Sequence, residues 1–237
     1  MGPVFFLTIR QLVSRWRMSI LAVLASLPVV STVIILQSTS TPFVSDFETI
    51  VLSALLAGSI VPLIVVSTAS VSFSNEVEDR TLANLTLTPL PRWQIVFPKI
   101  FGSILVAGPV ILAGAFLTGW FAFNRDPVAT LAVTASTLAG LLMYASLFTW
   151  LGLVTHQAIG VGLAYIVLWE GFFSGYVSGI RFLSIRHYSV ALMHGLDPRR
   201  FAQDPHVGLG VAVGMTLFVC VLFGWQSVKR LRTMDVP

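Results

Sequence analysis

One carboxylate in this chain stands where a charge is hardest to keep. Glu170 lies near the middle of AIGVGLAYIVLWEGFFSGYVSG, residues 158–179, with no other acidic or basic residue in that run. A charge at the centre of a membrane-spanning helix costs roughly 2.5–3.5 kcal/mol on insertion scales. Glu170 must therefore be neutral, face a wet cavity, or pair across helices. Two roles are open to it, a hydrogen-bonded structural carboxyl or a station on a transport path. Ser67 and Ser70, on one helical stripe of VSTASVSFS, are the other polar candidates for such a path, although hydroxyls inside spans commonly bond their own backbone.

The remaining reactive side chains exclude more than they suggest. His187 and His194 are seven residues apart, two turns along a helix, whereas paired metal ligands sit about three to five apart. No cysteine or clustered carboxylate joins them, so the spacing disfavours a metal centre. Cys220 is the sole cysteine, which rules out an intrachain disulfide. No Ser-His-Asp or Cys-His arrangement argues for hydrolysis. No G-x-x-x-x-G-K-[ST] is present, so nothing here cradles a nucleotide phosphate.

A dense cluster of charge instead stands in SNEVEDRTLANLTLTPLPRWQIVFPK, Ser74 to Lys99, where four charges fall within Glu76–Arg80. Asn75 and Glu78 have capping-box spacing, and Glu76 precedes Arg80 by four residues, the favourable order for a helical ion pair. Leu82 and Leu85 share a face, and Pro89 with Pro91 ends the helix. These residues predict a short surface helix from Glu76 to about Leu87, with a restart at Arg92 and Trp93. Asn84-Leu85-Thr86 matches a glycosylation sequon, which the orientation below leaves unused.

The elements that must position these residues are membrane spans. Hydrophobic residues make up 56% of 237 and charged residues 10%, with mean hydropathy +0.88. A soluble domain carries roughly 25% charged residues, so water is not the main solvent. The net charge of +4 comes from basic residues flanking apolar runs, which points to membrane orientation and not to nucleic acid. Six runs are predicted to cross as helices: Met18–Gln37, Ile50–Phe73, Ile100–Phe123, Val128–Val154, Ala158–Gly179 and Val207–Gln226. The first has too long an apolar core for a signal peptide, and no small-residue cleavage site follows it.

Between those spans the basic residues divide nine against five. That places both termini and the Ser74–Lys99 loop in the cytoplasm. Ahead of the first span, Phe5, Ile9, Leu12 and Trp16 form an apolar stripe with Arg10 and Arg17 off it. This predicts an amphipathic helix lying on the inner surface. Between the last two spans, IRFLSIRHYSVALMHGL is too short and too charged to cross, and a helical, partly re-entrant external hairpin fits it. The fold class is thus an all-α membrane protein, residues 1–237 forming one transmembrane domain.

Together these features resemble the permease subunits of type-2 ATP-binding-cassette transporters. In that family an acidic helix after the second span runs into a Thr-Leu, a Leu-rich turn, a P-x-x-R and a Lys opening the third span. Here Glu76, Glu78, Asp79, Thr81, Leu82, Leu85, Pro89, Arg92 and Lys99 stand at those places, with Arg80 where a Gly commonly precedes the Thr. The resemblance implies that this stretch is a coupling helix whose Glu76, Glu78, Asp79, Arg80, Thr81, Leu82 and Leu85 meet a separate ATPase subunit. It implies an exporter in the plasma (inner) membrane, built from two permeases, the same or paralogous, and two copies of the ATPase. ATP and Mg would be held by that partner and no cofactor by this chain. Two other readings stay open. One is an ion- or proton-coupled secondary transporter with Glu170 as coupling site, although no inverted repeat supports it. The other is a permease-like membrane assembly factor, similar to those of haem maturation.

Overall fold

The computed structural model describes residues 5, 8–10, 12–38, 44–78, 91–174, 178–201 and 207–233. Those residues form helices and turns. Helix α1 is Arg15–Ser38. Helix α2 runs without a break over 44–78, with wide i→i+5 turns over Glu48–Ile60 and Val66–Ser70. Helix α3 is Trp93–Ala122 and α4 is Pro127–Val154. Helix α5, Ala158–Phe173, opens as an α-helix and widens from Tyr165 onward. A tight 3-10 segment, Ser178–Leu183, leads to α6, Ile185–Leu196, and α7 is Leu209–Thr233.

Five of these helices are long and apolar enough to cross a membrane: α1 over Arg15–Gln37, α2 over Glu48–Ser74, then α3, α4 and α7. The six expected spans are therefore recovered as five of crossing length and one that falls short. At 1.5 Å per residue, Ala158–Phe173 reaches about 24 Å against a hydrocarbon thickness of about 30 Å. Its far end is where the chain turns to meet α6.

Packing centres on α4, which touches α2, α3, α6 and α7. Its middle, from Leu141 through Phe148, supplies several wholly buried side chains, among them Met143 and Tyr144. Small residues let its neighbours approach. A Cβ on Gly152 would stand 2.4 Å from the Ser70 carbonyl oxygen of α2, and one on Gly114 would stand 2.6 Å from the Ala25 carbonyl oxygen of α1. Both contacts are with backbone, which cannot swing aside. The outer helices show the reverse pattern. Val23, Val30 and Ile34 of α1, and Leu217, Phe218 and Val221 of α7, are exposed, the arrangement a chain adopts when lipid tails are its solvent.

Two clusters mark the ends of the bundle. At one, Phe73, Ile95, Val96, Ile100, Leu153 and Leu231 pack together, joining the last turns of α2, α4 and α7 to the first turns of α3. At the other, Phe123 meets the ring edges of Phe47 and Phe201. There Asn124 and Arg125 adopt positive φ to turn the chain within four residues. Asp126 then caps α4 by accepting from the Val128 N–H, with Pro127 in the first turn.

Two local expectations change. The helical backbone does not restart at Asn75 but continues from α2 to Glu78, so Asn75 is an interior position there. Extending a formed helix costs far less than nucleating one, and the buried turn at Val71–Ser74 supplies the template. In the N-terminal stripe, Leu12 is buried while Trp16 is exposed. Residues 13 and 14 are not helical, and that break puts Trp16 in the first turn of α1.

Candidate functional site

Glu170 is wholly buried, and its carboxylate is held by groups from two elements. The Tyr165 hydroxyl donates to Oε1 at 3.0 Å, as does the Ile185 backbone N–H, also at 3.0 Å. The Ser184 hydroxyl donates to Oε2 at 2.5 Å. Ser174 donates to the Glu170 carbonyl one turn on. The carboxylate thus sits on the first turn of α6, where unpaired N–H groups and the helix dipole favour an anion. Ser184 serves two purposes, since its Oγ also caps α6 by accepting from the His187 N–H. Of the three fates open to Glu170, it takes pairing across elements.

The same network reaches α2 and α4. Arg186 donates from Nε to the Ser53 hydroxyl at 3.0 Å and lies across Gly58, where a Cβ would stand 3.0 Å from its Cδ. Burial pushes the Arg186 guanidinium down from its ordinary value, and the Glu170 carboxylate opposes that. On α4, the buried Tyr144 hydroxyl lies in the field of Glu170 but makes no hydrogen bond among the described residues. Four helical elements, α2, α4, α5 and α6, therefore meet through polar side chains at one place. Beside them opens a polar cavity of about 360 Å³ whose lining includes Thr49, Ser53, Ser174, Arg181, Arg186 and His187.

Two further ties fasten this end. Buried Glu48, in the first turns of α2, pairs with His194 near the end of α6, and the imidazole stacks on Phe201. Arg200 pairs with Asp126 at 3.3 Å and caps the Phe123 carbonyl. Sequence reading missed Glu48 because it began the second span two residues later. A carboxylate at the lip of a span, with an unassigned histidine across the fold, was the available signal. Among the described residues, the opposite end holds one buried cation. Lys99 donates from Nζ to the Ser72 carbonyl and lies 4.2 Å over the Phe73 ring, so the start of α3 is bound to the end of α2.

The other expected site residues are not gathered here. Ser67 donates to the Ile64 carbonyl at 2.8 Å and Ser70 to the Val66 carbonyl, each within its own helix. Ser70 is buried under Gly152. Glu76 and Glu78 lie on the last turn of α2 by their backbone. Asp79, Arg80, Thr81, Leu82 and Leu85 fall outside the described residues. A second, larger cavity of about 750 Å³ is apolar, lined by Phe97, Phe101, Leu105, Leu138 and neighbours, and opens on the outer surface of α3.

These observations describe a helical bundle with an apolar exterior, polar ties at its ends and no assembled catalytic group among the described residues. A family model described as ABC-2 family transporter protein matches residues 10–179. That covers well over half of the chain, from before α1 to beyond α5. The chain belongs to the ABC-2 transporter family. It is a multi-pass membrane permease of an ABC transporter, a membrane subunit of the kind this family supplies. No curated protein matches the chain, and no solved structure does. Within the ABC-2 frame, α6 and α7 lie wholly beyond the matched residues, while Glu170 lies inside them.

Proposed function

We propose that this ABC-2 permease is the membrane half of an exporter driven by a separate ATPase subunit. The observation that carries the reading is the family match over residues 10–179, together with the acidic stretch that prolongs α2 beyond its buried turns. Glu76, Glu78 and Asp79 put charge at the point where α2 leaves the membrane. There Arg80, Thr81, Leu82 and Leu85 can complete a docking surface for the ATPase. ATP and Mg are then held by two copies of that partner, beneath two permeases, the same or paralogous. Lys99 gives the link a mechanical route, because a push on the end of α2 is passed through the Ser72 carbonyl to α3.

Six crossings are part of this proposal. The cluster of Phe73, Leu153 and Leu231 supports a common side for the ends of α2, α4 and α7, and α5 must then travel from that side to α6. Both termini and the loop between α2 and α3 are cytoplasmic in this arrangement, and α6 lies on the outer face of the plasma (inner) membrane. The wide turns of α5 and its meeting with the first turn of α6 account for its shortness.

Glu170 reads here as an anchor for the outer hairpin more than as a station on the path. Its carboxylate is already filled by Tyr165, Ser184 and the Ile185 N–H. Purification of the tagged chain from native membranes in mild detergent tests the function. It should bring down a polypeptide carrying the phosphate-binding loop, and the complex should hydrolyse ATP. Recovery of the chain with a cytochrome-assembly partner and no ATPase would contradict the proposal. For orientation, single cysteines at Ser40 and Gln203, in a Cys220→Ser background, should react with an impermeant thiol reagent outside intact cells, and one at Thr86 should not.

A further inference from the structure

We infer that the polar cavity beside α6 is a binding site for an oxyanion of the phosphate class, carried as a free anion or on an anionic lipid headgroup. Its lining draws Thr49 and Ser53 from α2, Arg181 from the 3-10 segment, and Ser184, Arg186 and His187 from the start of α6. With Ser174 of α5, two guanidiniums, four hydroxyls and an imidazole line about 360 Å³, a volume within the range of small-ligand pockets. Guanidinium groups offer planar, paired N–H donors that match a phosphate or carboxylate edge. The opening turn of α6 adds its dipole with the same sign.

The neighbouring carboxylate does not cancel this. Glu170 is fully buried and is not part of the cavity wall, and its oxygens are turned to Tyr165, Ser184 and the Ile185 N–H. Arg181 and Arg186 line the same cavity, so an anion there meets two guanidinium groups. Arg186 is also pre-placed, since Ser53 fixes its Nε and the missing Cβ of Gly58 gives its stem room. Nε uses one of the five guanidinium donors, leaving the fork able to turn to a ligand.

The purified full-length chain, in detergent at fixed pH and ionic strength, is titrated with inorganic phosphate while its unfolding midpoint is followed. A ligand bound only by the folded state raises that midpoint. The second arm places the chain in nanodiscs of phosphatidylcholine alone or with phosphatidylglycerol. Protection by phosphate assigns the site to the free anion, and protection only by phosphatidylglycerol assigns it to the headgroup. Arg186→Gln should weaken the effective ligand about tenfold, and Arg181→Gln, which removes an exposed side chain, should weaken it several-fold. The second variant keeps the test decisive should the first fail to fold. No protection in either arm, or equal protection of wild type and Arg181→Gln, overturns the inference. Neither arm depends on an ATPase or on which side the cavity faces, so a failure here leaves the permease assignment standing.

Discussion

Glu170 shows how far a single residue can be read before the fold is known. Its isolation in an apolar run predicts a partner, and the structure supplies three donors, one of them a backbone N–H from α6. The partner itself was not legible, because Ser184 and Ile185 lie fourteen and fifteen residues further on, across a turn that periodicity does not describe. If the carboxylate anchors α6, Glu170→Gln should lower stability by about 2–3 kcal/mol, the worth of a few hydrogen bonds to a buried charge. Ser184→Ala should cost a similar amount, about 2–3 kcal/mol, because it removes one donor to Glu170 and the α6 cap together. Thermal unfolding of the detergent-solubilised chain, with hydrogen exchange over 185–196, would show both losses concentrated in α6. Unchanged exchange there would remove the anchoring role and return Glu170 to the transport path.

Among the elements, the long spans were the most legible part of the molecule. Runs of twenty apolar residues have few other fates, and α3, α4 and α7 appear close to where composition places them. Interruptions and packing were harder to read. The wide turns of α2 and α5 carry no distinct residue signature. Which glycines matter was equally hidden, since Gly152 and Gly214 look alike in sequence. In the fold, Gly152 rests on the Ser70 backbone, whereas a Cβ on Gly214 meets nothing within 4 Å. Gly152→Ala must force α2 and α4 apart and should cost about 1–3 kcal/mol, the usual penalty of overpacking. Gly214→Ala should be neutral or slightly stabilising, since alanine is the better helix former. Unfolding midpoints of the two variants compare them directly. Equal midpoints would mean that α2 and α4 are not in backbone contact.

At the scale of the whole molecule, two ends do different work. One end is fastened by Glu48 to His194, Asp126 to Arg200 and Glu170 to α6, and it holds the polar cavity. The other carries Lys99, buried against Ser72 and Phe73, at the root of the acidic stretch. In the sequence the second end stands out, because a charged interruption between two spans is conspicuous in so apolar a chain. The first end does not, since Glu48–His194 and Asp126–Arg200 join residues more than seventy positions apart and Glu170 meets α6 across a turn. In the proposed exporter, the acidic stretch is the contact through which the ATPase moves the spans. Reversing Glu76, Glu78 and Asp79 to Lys together tests this directly, because in the proposed orientation added positive charge on this loop reinforces the topology. Charge contacts at an interface can be worth about 2–5 kcal/mol when buried, enough to lose a partner on purification. The triple variant should reach the membrane at wild-type levels and yet purify without the ATPase, or with an ATPase that no longer responds to substrate. A variant that keeps both its partner and full transport would contradict the coupling role and reduce the stretch to a charged surface loop.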